Sequence, residues 1–429
     1  MSDYAWPPSL WAATAAPAPD TPPLPPGEHE VEAVVIGGGF TGLSTALALA
    51  ERGVHVMLLE AAEVGWGASG RNNGQVIPTL SRADPAALIA RFGKEKGEAL
   101  ARLVGGSAAY AFDLVRKHAI DCEAVQSGWV QPAHTLGRVE RISKVRVEQW
   151  RRLGMPAELL DRDAVAAITG SRYWYGGWRN PTGGHIDPLG FARGLARAAQ
   201  RAGANVHTRS PVSGLERVGD AWRVQLRDAR VIAKRIVVAT NAYTCDAFGA
   251  LSRSIVTVPS YQMATEPLPE PLREAILPAN PAMSDTHGDL YFARKDARGR
   301  IVTGGALVLG YDFADRLRVR IGRRLAKLWP QLHGVRFDFV WHGKLSMTRD
   351  GMPHFHKLGE HAYAWIGCNG RAVALGAALG PVLADAVLGT PETALPVPIT
   401  PIGRIPAHAI AQSVATFALL PYRWRDMRG

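Results

Sequence analysis

An α/β fold of two joined domains is predicted by three observations. Residues Val31 to Ile36, VEAVVI, read as a buried strand, and Gly37-Gly38-Gly39-Phe40-Thr41-Gly42 follows it as G-x-G-x-x-G. The next run, LSTALALAERG, sets Leu43, Ala46, Leu47 and Ala50 on one helical face before Gly53 stops it, and Val54 to Leu59 is a second buried strand ending in Glu60. The chain has 429 residues, more than one simple core organises, so a second domain is expected.

Each part of the first unit has a physical reason. Gly37 permits the tight turn, Gly39 lets a pyrophosphate approach the backbone, and Gly42 lets helix and strand pack closely. The helix start at Phe40 and Thr41 presents free N–H groups and a positive dipole end to phosphate. Glu60 can accept hydrogen bonds from ribose hydroxyls and would repel a 2′-phosphate. Strand, glycine turn, helix, strand and terminal acid together predict a Rossmann-like dinucleotide site. A nicotinamide dinucleotide would need a matching second half-site, and no such domain is found.

Composition narrows the classes. Apolar residues make up 47% and charged residues 20%, a globular balance. Cys122, Cys245 and Cys368 lie far apart without a CxxC pair, which speaks for a reducing compartment and against zinc or a disulfide framework. His354-Phe355-His356 is an isolated HxH beside a turn, so no metal is expected. The net charge of +11 comes from Lys and Arg scattered among acids, so nucleic acid is not expected as a partner, and the basic surface suits anionic ligands. The opening thirty residues, proline-rich and lacking a basic start or unbroken apolar run, read as an extended arm anchored by Trp6 and Trp11, not a signal peptide. No segment has the roughly 18–20 apolar residues of a bilayer span. A cytoplasmic location is expected.

Five residues past Glu60 comes Gly65-Trp66-Gly67-Ala68-Ser69-Gly70-Arg71-Asn72-Asn73-Gly74-Gln75. Its glycines allow close backbone approach, and Ser69, Arg71 and Asn72 supply donors to phosphate or ring oxygens. GASGRNNGQ after this fingerprint resembles the flavin-adjacent loop of the D-amino-acid-oxidase superfamily, most of all the branch containing gamma-glutamylputrescine oxidase. Gly183-Gly184-His185-Ile186-Asp187-Pro188, the strand Ile236 to Ala239 with Thr240-Asn241-Ala242-Tyr243, Tyr261 to Leu268, Leu290 to Arg294, Trp341-His342-Gly343, Thr348 to Pro353 and Gly367-Cys368-Asn369-Gly370-Arg371-Ala372-Val373-Ala374 resemble further family segments in family order.

The resemblance implies FAD, held non-covalently because Gly343 stands where flavin-linking relatives carry cysteine. It implies cofactor contacts from Gly37, Gly39, Phe40, Thr41, Gly42, Glu60, Ala61, Gly67, Ala68, Ser69, Arg71, Asn72, Gly74, Gln75, Val212, Ala239, Thr240, Asn241, Gly367, Asn369, Gly370, Arg371, Ala372 and Val373. For the substrate pocket or flavin edge it implies Arg371, Tyr291, Trp341, His342, Tyr261 and Arg294, the last as a carboxylate clamp. Tyr291, Tyr261, Trp341 and His342 read equally as core aromatics, and His185 as a turn histidine. The expected reaction is hydride transfer from the carbon alpha to an amine nitrogen to flavin N5, with the imine then hydrolysed and no catalytic triad required. Ala374, where relatives carry a lysine linked to oxygen activation, leaves dioxygen or an electron carrier such as a quinone as acceptor. A dehydrogenase acting on a D-amino acid or secondary amine, and a structural flavoprotein subunit, are the alternatives.

The expected division is a proline-rich arm at 1–30, an FAD domain from 31–80, 151–254 and 341–390, a substrate domain on a mixed or antiparallel sheet from 81–150 and 255–340, and a C-terminal segment at 391–429. Within that segment Ala407 to Leu420 reads as an apolar helix packed on the protein's own surface, with a membrane contact as the lesser reading.

Overall fold

The computed structural model describes residues 4–428. The predicted first strand is longer than its apolar stretch, running over Gly27–Ile36, and it lies in the middle of a sheet because Ala33 to Ile36 are buried. Parallel neighbours in spatial order are Asn205–His207, Val56–Leu59, Gly27–Ile36, Ala229–Val238 and Ala362–Ile366, with antiparallel His354–Gly359 at one edge. An antiparallel pair, Gly214–Val218 and Ala221–Gln225, extends from Ala229–Val238.

Helix Phe40–Ala50 is buried along its whole length, which its run of Ala, Leu, Ser and Thr allows. It packs against helix Val373–Val387 through small residues: a Cβ at Gly380 would stand 2.2 Å from Ser44 Oγ, and the Ser44 hydroxyl donates to Ala377 O at 2.7 Å. Helices Lys94–Lys117 and Pro188–Arg201 complete this layer. The latter begins where Asp187 accepts the N–H groups of Leu189 and Gly190, ahead of Pro188 in the first turn.

The second domain is built on an eight-stranded sheet in the order 337–347, 256–265, 301–305, 292–295, 282–284, 129–132, 177–180, 158–160. It is antiparallel except where Ala282–Ser284 meets Trp129–Pro132. Helix Phe313–Leu328 buries Leu317, Ile321, Leu325 and Leu328 in this domain's core. The fold is thus α/β with a mixed sheet in the second domain, as predicted.

The sheets divide the chain differently from the expected boundaries. Strands Glu158–Leu160 and Gly177–Asn180, expected in the nucleotide domain, pair into the second sheet, as does all of Phe337–Met347. Helix Lys94–Lys117, expected with the substrate domain, shares the nucleotide domain's core through Leu100, Val104 and Phe112. Crossovers between two interleaved sheets leave no composition shift at their boundaries. The arm holds one helical turn, Leu10–Thr14, with Leu10 and Trp11 fully buried. Beyond it Arg193, Arg197 and Gln200 bond to the carbonyls of Ala16, Pro17 and Asp20.

Candidate functional site

Strand register assembles the site. Ile36 is paired with Leu59 on one side and Val238 on the other, so Gly37, Glu60 and Ala239 leave the sheet side by side. Gly37 has a φ of +109°, and a Cβ at Gly42 would stand 1.9 Å from Gly37 O, so only glycine seats the helix on the strand. Gly39, the N-cap of helix Phe40–Ala50, offers no side chain; Ser69 of the glycine-rich loop accepts the Phe40 N–H at 3.1 Å. The Glu60 carboxylate accepts the N–H of Gly38 at 2.6 Å and of Ala62 at 2.9 Å. Burial pushes its pKa up, and these N–H bonds pull it back.

A cavity of about 910 Å³ opens here and runs to the second sheet. Its wall brings together Gly37, Gly39, Phe40, Thr41, Glu60, Ala61, Gly67, Ala68, Ser69, Arg71, Asn72, Gln75, Val212, Ala239, Thr240, Asn241, Asn369, Gly370, Arg371, Ala372 and Val373. Gly42, Gly74 and Gly367 are not on it. Gly42 serves helix packing; a Cβ at Gly74 would meet Ile186 O at 2.1 Å; the Gly367 N–H is held by Asn241 Oδ1 at 3.0 Å.

At the far end, Gly367, Asn369 and Gly370 all have positive φ and turn the chain into helix Val373–Val387, which also lacks a side-chain cap. Two helix starts, neither capped by the side chain of its own N-cap residue, therefore meet one cavity, each favouring negative charge. Arg71 donates through Nε to Trp66 O at 2.7 Å and stacks 4.2 Å from the Trp66 ring centre, while its Nη2 is buried without a partner. Arg371 Nε, Trp365 Nε1 and Gln75 Oε1 are likewise buried and unpartnered on this wall. Burial, with Arg146 close by, lowers the Arg371 pKa to about 10, so the group stays cationic at neutral pH. Glycine cradle, acceptor-seeking arginines, two helix starts and Glu60 together fit FAD.

Five of the six residues expected at the substrate pocket are elsewhere. Val256, Val258, Ser260 and Gln262 face the cavity, so Tyr261 points to the opposite face, against Phe313 and His342. His342 is exposed on that side. Trp341 is buried beneath the glycine-rich loop, donating to Arg71 O at 2.8 Å. Arg294 is fully buried and donates to the carbonyls of Asn73, Ile186 and Lys295, so no N–H pair is left for a carboxylate clamp. Tyr291 stacks between His287 and the Arg324 guanidinium, off the wall. Only Arg371 of the six lines the cavity.

The structure adds residues that sequence reasoning missed. Arg146 reaches Asp84 Oδ1 at 2.8 Å and also bonds to Gln131, and both Arg146 and Gln131 line the cavity. Asp285, fully buried, accepts the N–H groups of His287 and Tyr291 and lies 2.5 Å from His287 Nδ1, which leaves His287 Nε2 as the free nitrogen. The signal for this pair was Asp285-Thr286-His287, an Asx-type turn between two apolar strands. The C-terminal segment, expected as one helix, is His408–Val414, a tighter turn Ala415–Ala418 and Leu419–Arg428; Ala415, Leu419 and Tyr422 line the cavity.

Comparison with known proteins agrees with this geometry. The family described as FAD dependent oxidoreductase (DAO) matches residues 32–386. The chain is 32% identical over 360 residues to gamma-glutamylputrescine oxidoreductase of Escherichia coli, covering 83% of this chain and 84% of that protein. It is 30% identical over 380 residues to the probable oxidoreductase OrdL of Haemophilus influenzae, covering 86% of each. Among solved structures, glycine oxidase from Geobacillus kaustophilus superposes with a TM-score of 0.71 at 20% identity, covering 87% of this chain and 99% of that one. L-proline dehydrogenase from P. horikoshii gives 0.72 at 20% identity, covering 86% and 96%. The chain therefore belongs to the DAO family of FAD-dependent oxidoreductases, and FAD is the cofactor that its glycine cradle serves.

Proposed function

We propose that the protein oxidises an amine or amino-acid-like substrate that carries a carboxylate, at the carbon alpha to nitrogen. The observation that carries this reading is Arg371: a cation at the start of helix Val373–Val387 with its Nε buried and unpartnered, 5.6 Å from the Trp129 ring centre. A half-buried cation without a counter-charge is costly, and a substrate carboxylate supplies the missing acceptor. Arg146 is already held by Asp84 and Gln131, so it adds field rather than a free fork. When bound, FAD supplies the hydride acceptor, N5 of its ring system. The protein's part is to orient the substrate and hold its proton. His287, fixed at Nδ1 by Asp285, presents Nε2 as the acceptor for a substrate ammonium proton, since only the neutral amine gives up hydride. Leu290, Phe292 and Leu419 give that end an apolar lining.

Likeness to the E. coli relative favours gamma-glutamylputrescine among substrates. Gly343 on the cavity wall, in place of a flavin-linking cysteine, supports non-covalent FAD. Ala374, also on the wall, favours an electron carrier over dioxygen. The test uses Arg371→Met and His287→Asn. Arg371→Met, assayed at saturating FAD, raises KM for a carboxylated amine by about 10- to 100-fold, from the loss of a charge-assisted pair. His287→Asn slows flavin reduction below the amine's own pKa and recovers at high pH. An unchanged KM in Arg371→Met removes the carboxylate from the reading.

A further inference from the structure

The C-terminal segment has two faces. At steps of three or four residues, His408, Gln412, Ala415, Leu419, Tyr422 and Asp426 turn inward. His408 Nε2 lies 2.7 Å from Ile255 O, and Gln412 donates to Thr257 O at 2.7 Å while accepting its N–H at 2.9 Å. Asp426 accepts the N–H of Gly288 at 2.8 Å and of Asp289 at 2.9 Å. The alternate steps, Ile410, Val414, Phe417, Leu420 and Trp424, are between 46% and 67% exposed. A fixed inner face thus holds a regular apolar row toward solvent.

This row has a neighbour. Arg320 of helix Phe313–Leu328 and Arg423 both bond to Asp289 and both donate to Ala306 O, so the two segments lie side by side. The first of them adds exposed Leu309, Tyr311 and Val319. Eight of the fourteen large hydrophobics exposed among the described residues fall in these two segments, while Ala415, Thr416, Ala418, Leu419 and Tyr422 of the second line the cavity. Residues 309–327 and 404–426 carry nine Lys and Arg against three Asp. Three of those arginines turn inward to Asp289, and Arg318, Arg323, Lys327, Arg404 and Arg425 stay exposed.

Charge decides what covers this surface. A second copy meeting it across a two-fold axis would set arginine against arginine. A bilayer surface bearing anionic headgroups satisfies both parts, with the apolar row at the acyl boundary and the arginines among the headgroups. Among the described residues no helix is long and apolar enough to cross a membrane, so the segment lies in the interface plane. We propose that the outer face of residues 404–426, with Leu309, Tyr311 and Val319, docks the protein on an anionic membrane surface, while the inner face of the same segment lines the cavity.

The full-length, FAD-loaded protein is tested by co-sedimentation with vesicles of phosphatidylcholine alone or mixed equally with phosphatidylglycerol. Binding is expected to the anionic vesicles only and to weaken with salt. It should fall by at least tenfold in Phe417→Asp and in Arg404→Ala/Arg425→Ala, on the order of tenfold or more for two surface arginines. Retained FAD in each variant shows the fold intact. Absence of binding to anionic vesicles overturns the proposal. So does binding that Phe417→Asp leaves unchanged, or a concentration-dependent dimer that the same substitution abolishes.

Discussion

Arg371 and His185 show how differently burial acts on single residues. Arg371 keeps its charge against the cost of burial and so points to an anionic ligand. His185 gives its charge up: burial, with Arg294 beside it, pushes its pKa from 6.5 down to about 3. Its contribution to stability is present above pH 6.5 and is lost as pH falls toward 3, because the unfolded chain takes up a proton that the folded one refuses. Asp187, raised by burial from 3.8 to about 6, acts with the opposite sign. Its contribution is present below 3.8 and lost as pH rises through about 6. The urea midpoint at pH 7 minus that at pH 5 is therefore expected to fall in His185→Gln relative to the parent and to rise in Asp187→Asn. Equal differences in all three proteins would remove both assignments.

At the scale of elements, glycines set distances that no other residue permits. Helices Phe40–Ala50 and Val373–Val387 deliver both helix starts to the cavity, and their spacing rests on Gly380 against Ser44. A Cβ at Gly380 would also stand 2.5 Å from the Ser44 carbonyl carbon. Gly380→Val is expected to lower stability by about 1–3 kcal/mol or more through overpacking, with weaker FAD retention, read from thermal unfolding and flavin content. Unchanged values for both would mean the helices can part freely. These elements were legible in the sequence because strand, glycine turn, helix and acid are contiguous and each obeys a local rule. The pocket was less so. Tyr261 and Gln262 look alike as candidates until register assigns them to opposite faces, and Trp341 and Arg294 become structural only once the arm's Trp11 packs against both. Asp285 and His287 sit in a short turn whose chemistry depends on the distant Trp174 and His134 packed around it.

For the whole molecule, one cavity joins two sheets that the chain visits alternately. The nucleotide end is made by residues within 37–75 and the turn at 368–374, and the other end by Gln131, strand 256–262, the turn 284–292 and the C-terminal segment. Under the proposed function, substrate choice falls to that second, non-local half, so motifs name the cofactor more readily than the amine. The most direct measurement is an anaerobic titration of the purified, FAD-loaded protein followed by its visible spectrum. The substrates are gamma-glutamylputrescine, N-methyl amino acids and D-amino acids, and air or a soluble quinone is admitted afterwards. Bleaching of the flavin by a carboxylated amine, with colour returning faster on quinone than on air, is the predicted result. A flavin spectrum that no amine or amino acid alters would contradict the account.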